Sequence, residues 1–148
     1  MNSERASTIG WREWVTLPRF CPNPIQAKVD TGAKTSSIHA NDLTLIRSGD
    51  ETLAQFELLP SPDSEDGKTV ITAPVVDFRT IRSSNGQTER RPVVRTELAL
   101  GDERFEIDLT LTSRSLMGHR MLLGRRVLAD RFWVDAGRSF LLTKEKSA

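Results

Sequence analysis

Asp30 is the residue of this sequence best placed to do chemistry. It ends an alternating run in which Ile25, Ala27 and Val29 are separated by polar neighbours, the period-two pattern of a half-buried strand, and it is followed by Thr31, Gly32 and Ala33. A carboxylate delivered by a strand to the start of a glycine-containing turn can serve as a general base toward water. It can also serve as a general acid if a second carboxyl shares its proton. The other candidates are scattered. His39 and His119 are the only histidines and Cys21 the only cysteine, with neither a His-Glu-x-x-His nor a paired-cysteine spacing, so a metal site would need carboxylates recruited from afar. Cys21 precedes Pro22 and has no His or Asp partner nearby in sequence, which argues against a nucleophilic thiol. Asp135 sits in Val134-Asp135-Ala136-Gly137 between two apolar runs, the composition of an ordinary strand-to-strand turn.

The elements that must position Asp30 read as strands. Val94, Thr96, Leu98 and Leu100 form one alternating face; after Gly101-Asp102, Phe105, Ile107, Leu109 and Leu111 form another, a hairpin signature. Segments 52–59 and 69–78 have strand composition, and Asn85-Gly86 marks a tight turn in the polar stretch between Arg79 and Arg91. Trp11 and Trp14 lie in an N-terminal strand expected to close the sheet. The one credible helix is short, about Arg125 to Asp130, after Gly124. The expected fold class is all-β, a barrel or sandwich of about seven strands with one late helix.

Composition narrows the function classes. The 148 residues are 37% hydrophobic, enough for one compact core and too few for two, so residues 9–143 are expected to form one domain with flexible termini at 1–8 and 144–148. Lys plus Arg total 21 against 20 for Asp plus Glu, so no bulk charge advertises nucleic acid or an anionic membrane as a partner. The single cysteine fits a reducing compartment, and the polar N-terminus carries no apolar targeting core; a cytoplasmic location is expected.

Asp30-Thr31-Gly32-Ala33 is answered far down the chain by Met121-Leu122-Leu123-Gly124 leading into the short helix. With these two anchors the sequence resembles the retropepsin family of aspartic peptidases. The runs "DTGAKTSSIHA", "RSSNGQTERRPVV" and "MLLGRRVL" are similar to the bacterial retropepsin-like family labelled ATP-dependent zinc proteases, over Gly10 to about Leu142. The resemblance implies a retropepsin-like closed barrel, the acid protease fold, acting as a two-fold homodimer. Peptide or isopeptide hydrolysis would use a water held by two Asp30 carboxylates, one per subunit, because the chain has a single Asp-Thr-Gly. Thr31 would bond across the dimer axis, Gly32 would allow close approach of the two loops, and Leu122, Leu123 and Gly124 would support them from beneath. Ala33 stands where pepsin-like enzymes commonly carry Ser, which favours activity nearer neutral pH than in a digestive enzyme. Arg125 matches an arginine of the retroviral pattern, but Lys34 replaces the acidic partner expected for it.

The same resemblance makes the hairpin around Ser83, Ser84, Asn85 and Gly86, with Arg82 and Arg90, a flap that closes over an extended peptide. The arginines at 79, 82, 90, 91 and 95 favour an acidic peptide or protein substrate. Some relatives of the family are associated with glutamate-adding ligases. No cofactor is implied, since no Gly-rich loop with Lys and Ser or Thr is present to cradle a phosphate. Two rival functions stand beside the peptidase: a zinc-dependent hydrolase, which chelator sensitivity would reveal, and a peptide-binding module without turnover.

Overall fold

The computed structural model describes residues 7–61, 64–82, 85–112 and 118–143. These form β1 (Ser7–Gly10), β2 (Arg12–Leu17), β3 (Cys21–Val29), β4 (Ser36–Ser48), β5 (Glu51–Leu58), β6 (Thr69–Arg82), β7 (Thr88–Leu100), β8 (Glu103–Thr112), β9 (Met121–Leu123), α1 (Arg125–Leu128) and β10 (Phe132–Asp135). The chain is therefore nearly all-β with one short helix. Ser7 and Thr8, expected in a loose terminus, belong to β1; residues 1–6 and 144–148 lie outside the described residues.

The main sheet runs β2-β3-β9-β4-β5-β6-β7-β8, with further pairings β2–β7 and β4–β8, while β1 and β10 form a separate parallel ribbon. This corrects the expectation of a simple closed barrel of about seven strands: the strands form a cross-linked ring. Two long strands change partners along their length. In β4, Ser36–His39 pair with β8 and Ala40–Ser48 with β5, and the change coincides with an irregularity between Asn41 and Thr44, where Asp42 takes a φ of 55°. In β6 the register shifts between Val75 and Asp77 as the strand passes from β5 to β7. Such bulges bend a strand and increase its twist, which lets one strand serve two layers.

The β7–β8 hairpin follows the sequence pattern, with Val94 opposite Leu109, Thr96 opposite Ile107 and Leu98 opposite Phe105. Gly101 adopts φ +60° at the first central position of the turn, a conformation that costs glycine little. Leu142 packs directly over it. The core gathers Ile25 and Ala27 from β3, Ile38 from β4, Leu98 from β7, Leu109 and Leu111 from β8, and Met121 and Leu123 from β9, all essentially without exposure. Each fully buried aliphatic side chain contributes about 1.5–3 kcal/mol.

A buried charge ties the two ends of the chain together. Glu13, on β2, is fully buried and accepts hydrogen bonds from the N–H groups of Gly10 (2.7 Å), Leu141 (2.8 Å), Leu142 (3.2 Å) and Thr143 (2.9 Å), and from the Thr143 hydroxyl (2.6 Å). Trp11 N–H donates to Arg138 O (2.7 Å) and Phe140 N–H to Arg12 O (3.0 Å), so residues 138–143 are laced along β2. Burial by itself raises the pKa of Glu13, but the bonds from Gly10, Thr143 and Leu142 outweigh it and hold the carboxyl below its ordinary value of 4.5. A carboxyl with a depressed folded pKa contributes stability above its unfolded pKa, and that contribution is lost as pH falls through the folded value. Glu13→Gln, which turns an N–H donor toward other donors, is expected to cost about 3 kcal/mol at pH 7. The difference from wild type should shrink below about pH 4. Urea unfolding at pH 7 and pH 3.5 checks this; equal stability of the two proteins at pH 7 would contradict it.

Candidate active site

β3 and β9 run parallel, with Ala27 opposite Met121, Lys28 opposite Leu122 and Val29 opposite Leu123; β9 in turn pairs antiparallel with β4 through Ser37–Leu122 and Ile38–Met121. The loop leaving β3 at Asp30 therefore starts beside the end of β9. Asp30 N–H donates to Leu123 O (2.9 Å), Gly32 N–H donates to Asp30 Oδ1 (2.9 Å), and Ala33 N–H donates to Asp30 O (3.2 Å). The carboxylate is thus turned onto its own loop, with one oxygen held by a backbone donor. Asp30 is half-buried, while Thr31 and Gly32 are exposed at the loop tip.

The returning side of the loop is locked against Gly124. Arg125 N–H donates to Ala33 O (2.8 Å), Arg126 N–H to Lys34 O (3.1 Å), and Gly124 N–H to Ser36 Oγ (3.0 Å). A Cβ on Gly124 would stand 2.5 Å from Thr35 O and 2.9 Å from Ala33 O, both backbone atoms, so only glycine lets the two segments come this close. Leu123 is buried in the core beneath the loop and Leu122 is half-buried. The Arg125 side chain, which the sequence left without an acidic partner, donates to Thr31 O (3.0 Å) and so braces the loop within its own chain. Ser37 shares a hydrogen bond with Thr110 (2.6 Å), and Thr110 donates to Ser36 O (3.2 Å), anchoring β4 to β8 below the site.

β6 and β7 form the long hairpin that carries the residues expected of a flap, paired from Val75–Val94 out to Arg82–Thr88. Asn85 and Gly86 lie at its exposed end, Gly86 at φ +86°, and Asn85 Oδ1 accepts from Gln87 N–H (3.1 Å). Ser83 and Ser84 lie outside the described residues. Arg82 is exposed, Arg90 covers the Phe78 ring at 4.6 Å, and Arg91 pairs with Glu89 at 3.1 Å. Arg79, directly across from Arg91, and Arg95 turn instead to Asp108, at 3.4 and 2.8 Å, and Arg79 also lies 3.6 Å from Asp77. They line a pocket of about 260 Å³ together with Arg126, Arg131, Glu106 and Thr35. The sequence gives no sign of Arg126 and Arg131 as site residues, because β4, β6, β7, β8 and α1 together build this pocket.

The remaining candidates are dispersed. Asp135 accepts from Gly137 N–H (3.0 Å) in the turn after β10. His39 is buried on β4, Cys21 is buried at the start of β3, and His119 meets Trp11 edge to face at 5.9 Å. Among the described residues no group of three or more His, Cys, Asp and Glu side chains converges in a way that could hold a metal ion. Among them, too, no helix is long and apolar enough to cross a membrane.

Comparison with known proteins gives a consistent picture of the family and a divided one of the activity. The family model described as RimB-like, retropepsin-like aspartic endopeptidase RimB, matches residues 8–145. A protein of Shewanella pealeana named probable alpha-L-glutamate ligase is 41% identical over 140 residues, covering 95% of this chain and 31% of that protein. One of the same name from Desulfotalea psychrophila is 43% identical over 129 residues, covering 86% of this chain and 27% of that protein. The chain thus spans less than a third of the length of these curated relatives. The crystal structure of Lpg0085 from Legionella pneumophila, a protein of unknown function, matches with a TM-score of 0.75 at 28% identity, covering 92% of this chain and 98% of that one.

The loop geometry predicts that Gly124→Ala, which forces backbone apart, destabilises the protein by about 3 kcal/mol. Hydrogen exchange at the Asp30 and Gly32 amides should accelerate in the same variant. Thermal unfolding and amide exchange check both, and an unchanged exchange rate at Asp30 would contradict the bracing role of Gly124.

Proposed function

Because this chain belongs to the RimB-like family of retropepsin-like aspartic endopeptidases, we propose that it hydrolyses peptide or isopeptide bonds as a two-fold homodimer, with one Asp30 from each subunit. The observation that carries this reading is the pinned Asp30 loop: a half-buried carboxylate fixed by the Gly32 N–H, on a loop braced by Gly124 and Arg125. The exposed Thr31 and Gly32 form the part of the loop that would meet its twin. A single carboxylate cannot both accept and donate the protons of peptide hydrolysis, and a symmetric partner supplies the second.

In the proposed reaction, the ionised Asp30 takes a proton from water as its oxygen attacks the scissile carbonyl carbon. The protonated Asp30 of the other subunit gives its proton to the carbonyl oxygen. Collapse of the tetrahedral species breaks the C–N bond: the proton taken from water passes from the first Asp30 to the leaving nitrogen, and a hydroxyl of the tetrahedral species returns its proton to the second Asp30 as the product carboxyl forms, regenerating one charged and one protonated carboxyl. The β6–β7 hairpin would cover an extended peptide and exclude bulk water. Its arginines favour an acidic peptide as substrate. The curated relatives carry a ligase name for proteins of which this chain spans less than a third.

Incubation of a broad peptide library with wild-type and Asp30→Asn protein, each with and without chelator, tests the reading. Cleavage by wild type alone is expected, with the variant slower by about a thousandfold or more. After equal amounts of the two proteins are mixed, random pairing of subunits should make wild-type homodimers about a quarter of all dimers, about half the number that entered the mixture. Cleavage that survives Asp30→Asn, or that chelator abolishes in wild type, would sink the aspartic mechanism.

A further inference from the structure

The pocket at the base of the hairpin is separate from the Asp30 carboxylate and has its own electrostatic character. Four guanidinium groups, from Arg79 on β6, Arg95 on β7, Arg126 on α1 and Arg131 just beyond it, face two carboxylates, Glu106 and Asp108 of β8. The partners of these charges show where positive charge is left over. Asp108 stands directly across from Arg95 in the β7–β8 pairing and bonds both Arg95 Nε (2.8 Å) and Arg79 (3.4 Å). Glu106 is turned toward Arg19 at 3.5 Å. Arg131 donates to Val127 O (3.2 Å) and lies over the Phe105 ring at 4.1 Å. The Arg126 side chain has no hydrogen-bond or ion-pair partner among the described residues. In a chain whose charges balance almost fully, this concavity holds more cationic than anionic groups.

We propose that this pocket is a binding site for a singly charged carboxylate, with Arg126 as its principal ligand and Arg79 and Arg95 completing the positive wall. A planar carboxylate matches the fork of a guanidinium. Asp108 already meets the Arg95 fork in that way, at 2.8 and 3.5 Å, which shows the geometry the pocket accommodates. Doubly charged oxyanions are disfavoured because Glu106 and Asp108 stand in the same wall and repel them. The site also touches machinery at two points: Thr35 of its lining follows the Asp30 loop, and Arg79 and Arg95 belong to the flap hairpin. An occupied pocket therefore bridges the loop side and the hairpin. The carboxylate has two possible sources, an acidic side chain of a bound peptide or a free small acid. The binding site does not depend on peptide hydrolysis, and it is tested without turnover.

The test follows the arginine Nε–H signals of the full-length protein by 15N NMR at constant ionic strength. It is run on wild type and on Asp30→Asn, in which peptide is not consumed. Sodium butyrate, sodium phosphate and acetyl-triglutamyl-amide are titrated separately. Saturable shifts of Arg126 and Arg95 with a carboxylate probe are expected, weakened at least tenfold by Arg126→Gln and unchanged by Arg104→Gln, an exposed arginine outside the pocket. Tighter binding of the peptide than of butyrate, by tenfold or more, assigns the site to substrate side chains; equal binding assigns it to free carboxylates. Absence of saturation with both carboxylate probes, tighter binding of phosphate than of either, or wild-type affinity in Arg126→Gln overturns the proposal. The melting temperature of Arg126→Gln, expected to equal that of wild type, keeps a folding defect from being read as lost binding. A peptidase reading that failed in the cleavage assay would leave these shifts in place.

Discussion

The Thr35 carbonyl lies where any side chain at position 124 would have to stand. That close approach of two backbone segments, residues 30–35 and 123–126, governs the rest of the candidate site. It lets the N–H groups of Arg125 and Arg126 reach the carbonyls of Ala33 and Lys34, and it brings Arg125 within reach of Thr31. The carbonyls of Thr31, Ala33 and Lys34 thus find donors within the chain, as a partly buried turn requires. Asp30 is positioned as a consequence, with its backbone held by Leu123 and its carboxylate by Gly32.

The ring of strands exists to bring these segments together. β9 is only three residues long, yet it sits between β3 and β4 and has neighbours on both sides. Its pairing requires β4 to lie against both β9 and β8 at its start and against β5 further on, which the irregularity near Asp42 makes possible. At the opposite end of the chain, the C-terminal segment is held along β2 by Glu13. A buried carboxylate is costly to desolvate unless several donors meet it, and five hydrogen bonds do so here. The two chain ends are consequently joined by polar contacts.

Charge is organised on the same principle of local satisfaction. The chain carries almost equal numbers of acidic and basic residues, yet the arginines of the hairpin are divided by the partners they meet. Arg82 is exposed, Arg90 stacks on Phe78 and Arg91 pairs with Glu89, while Arg79, directly across from Arg91, and Arg95 converge on Asp108. The hydrogen bond with Asp108 holds the Arg95 guanidinium more firmly protonated than an ordinary arginine. The arginine excess visible along the sequence is therefore two populations in space, and only one of them lines a cavity.

Much of the fold was legible from the sequence alone. The period-two alternation through Val94–Leu100 and Phe105–Leu111, the Gly101 turn, the strand into Asp30 and the short helix after Gly124 are local features, set by which side chains must face a core and which turns tolerate glycine. The pairing of Asp-Thr-Gly with the later Leu-Leu-Gly likewise pointed to the family. What only the tertiary structure decided were the contacts made across long sequence separations. The changes of partner within β4 and β6 come with irregularities that interrupt the alternation, and such an interruption does not say which strand the chain pairs with next. Arg125 finds a carbonyl in place of the missing acid because its fork accepts any well-placed oxygen. Glu13 reads as a surface residue on a strand until residues 141–143 supply their N–H groups, and Arg126 and Arg131 read as ordinary helix-end charges until β6, β7 and β8 close around them. Sequence periodicity reports which face a side chain takes; which distant groups it meets there depends on how the ring closes.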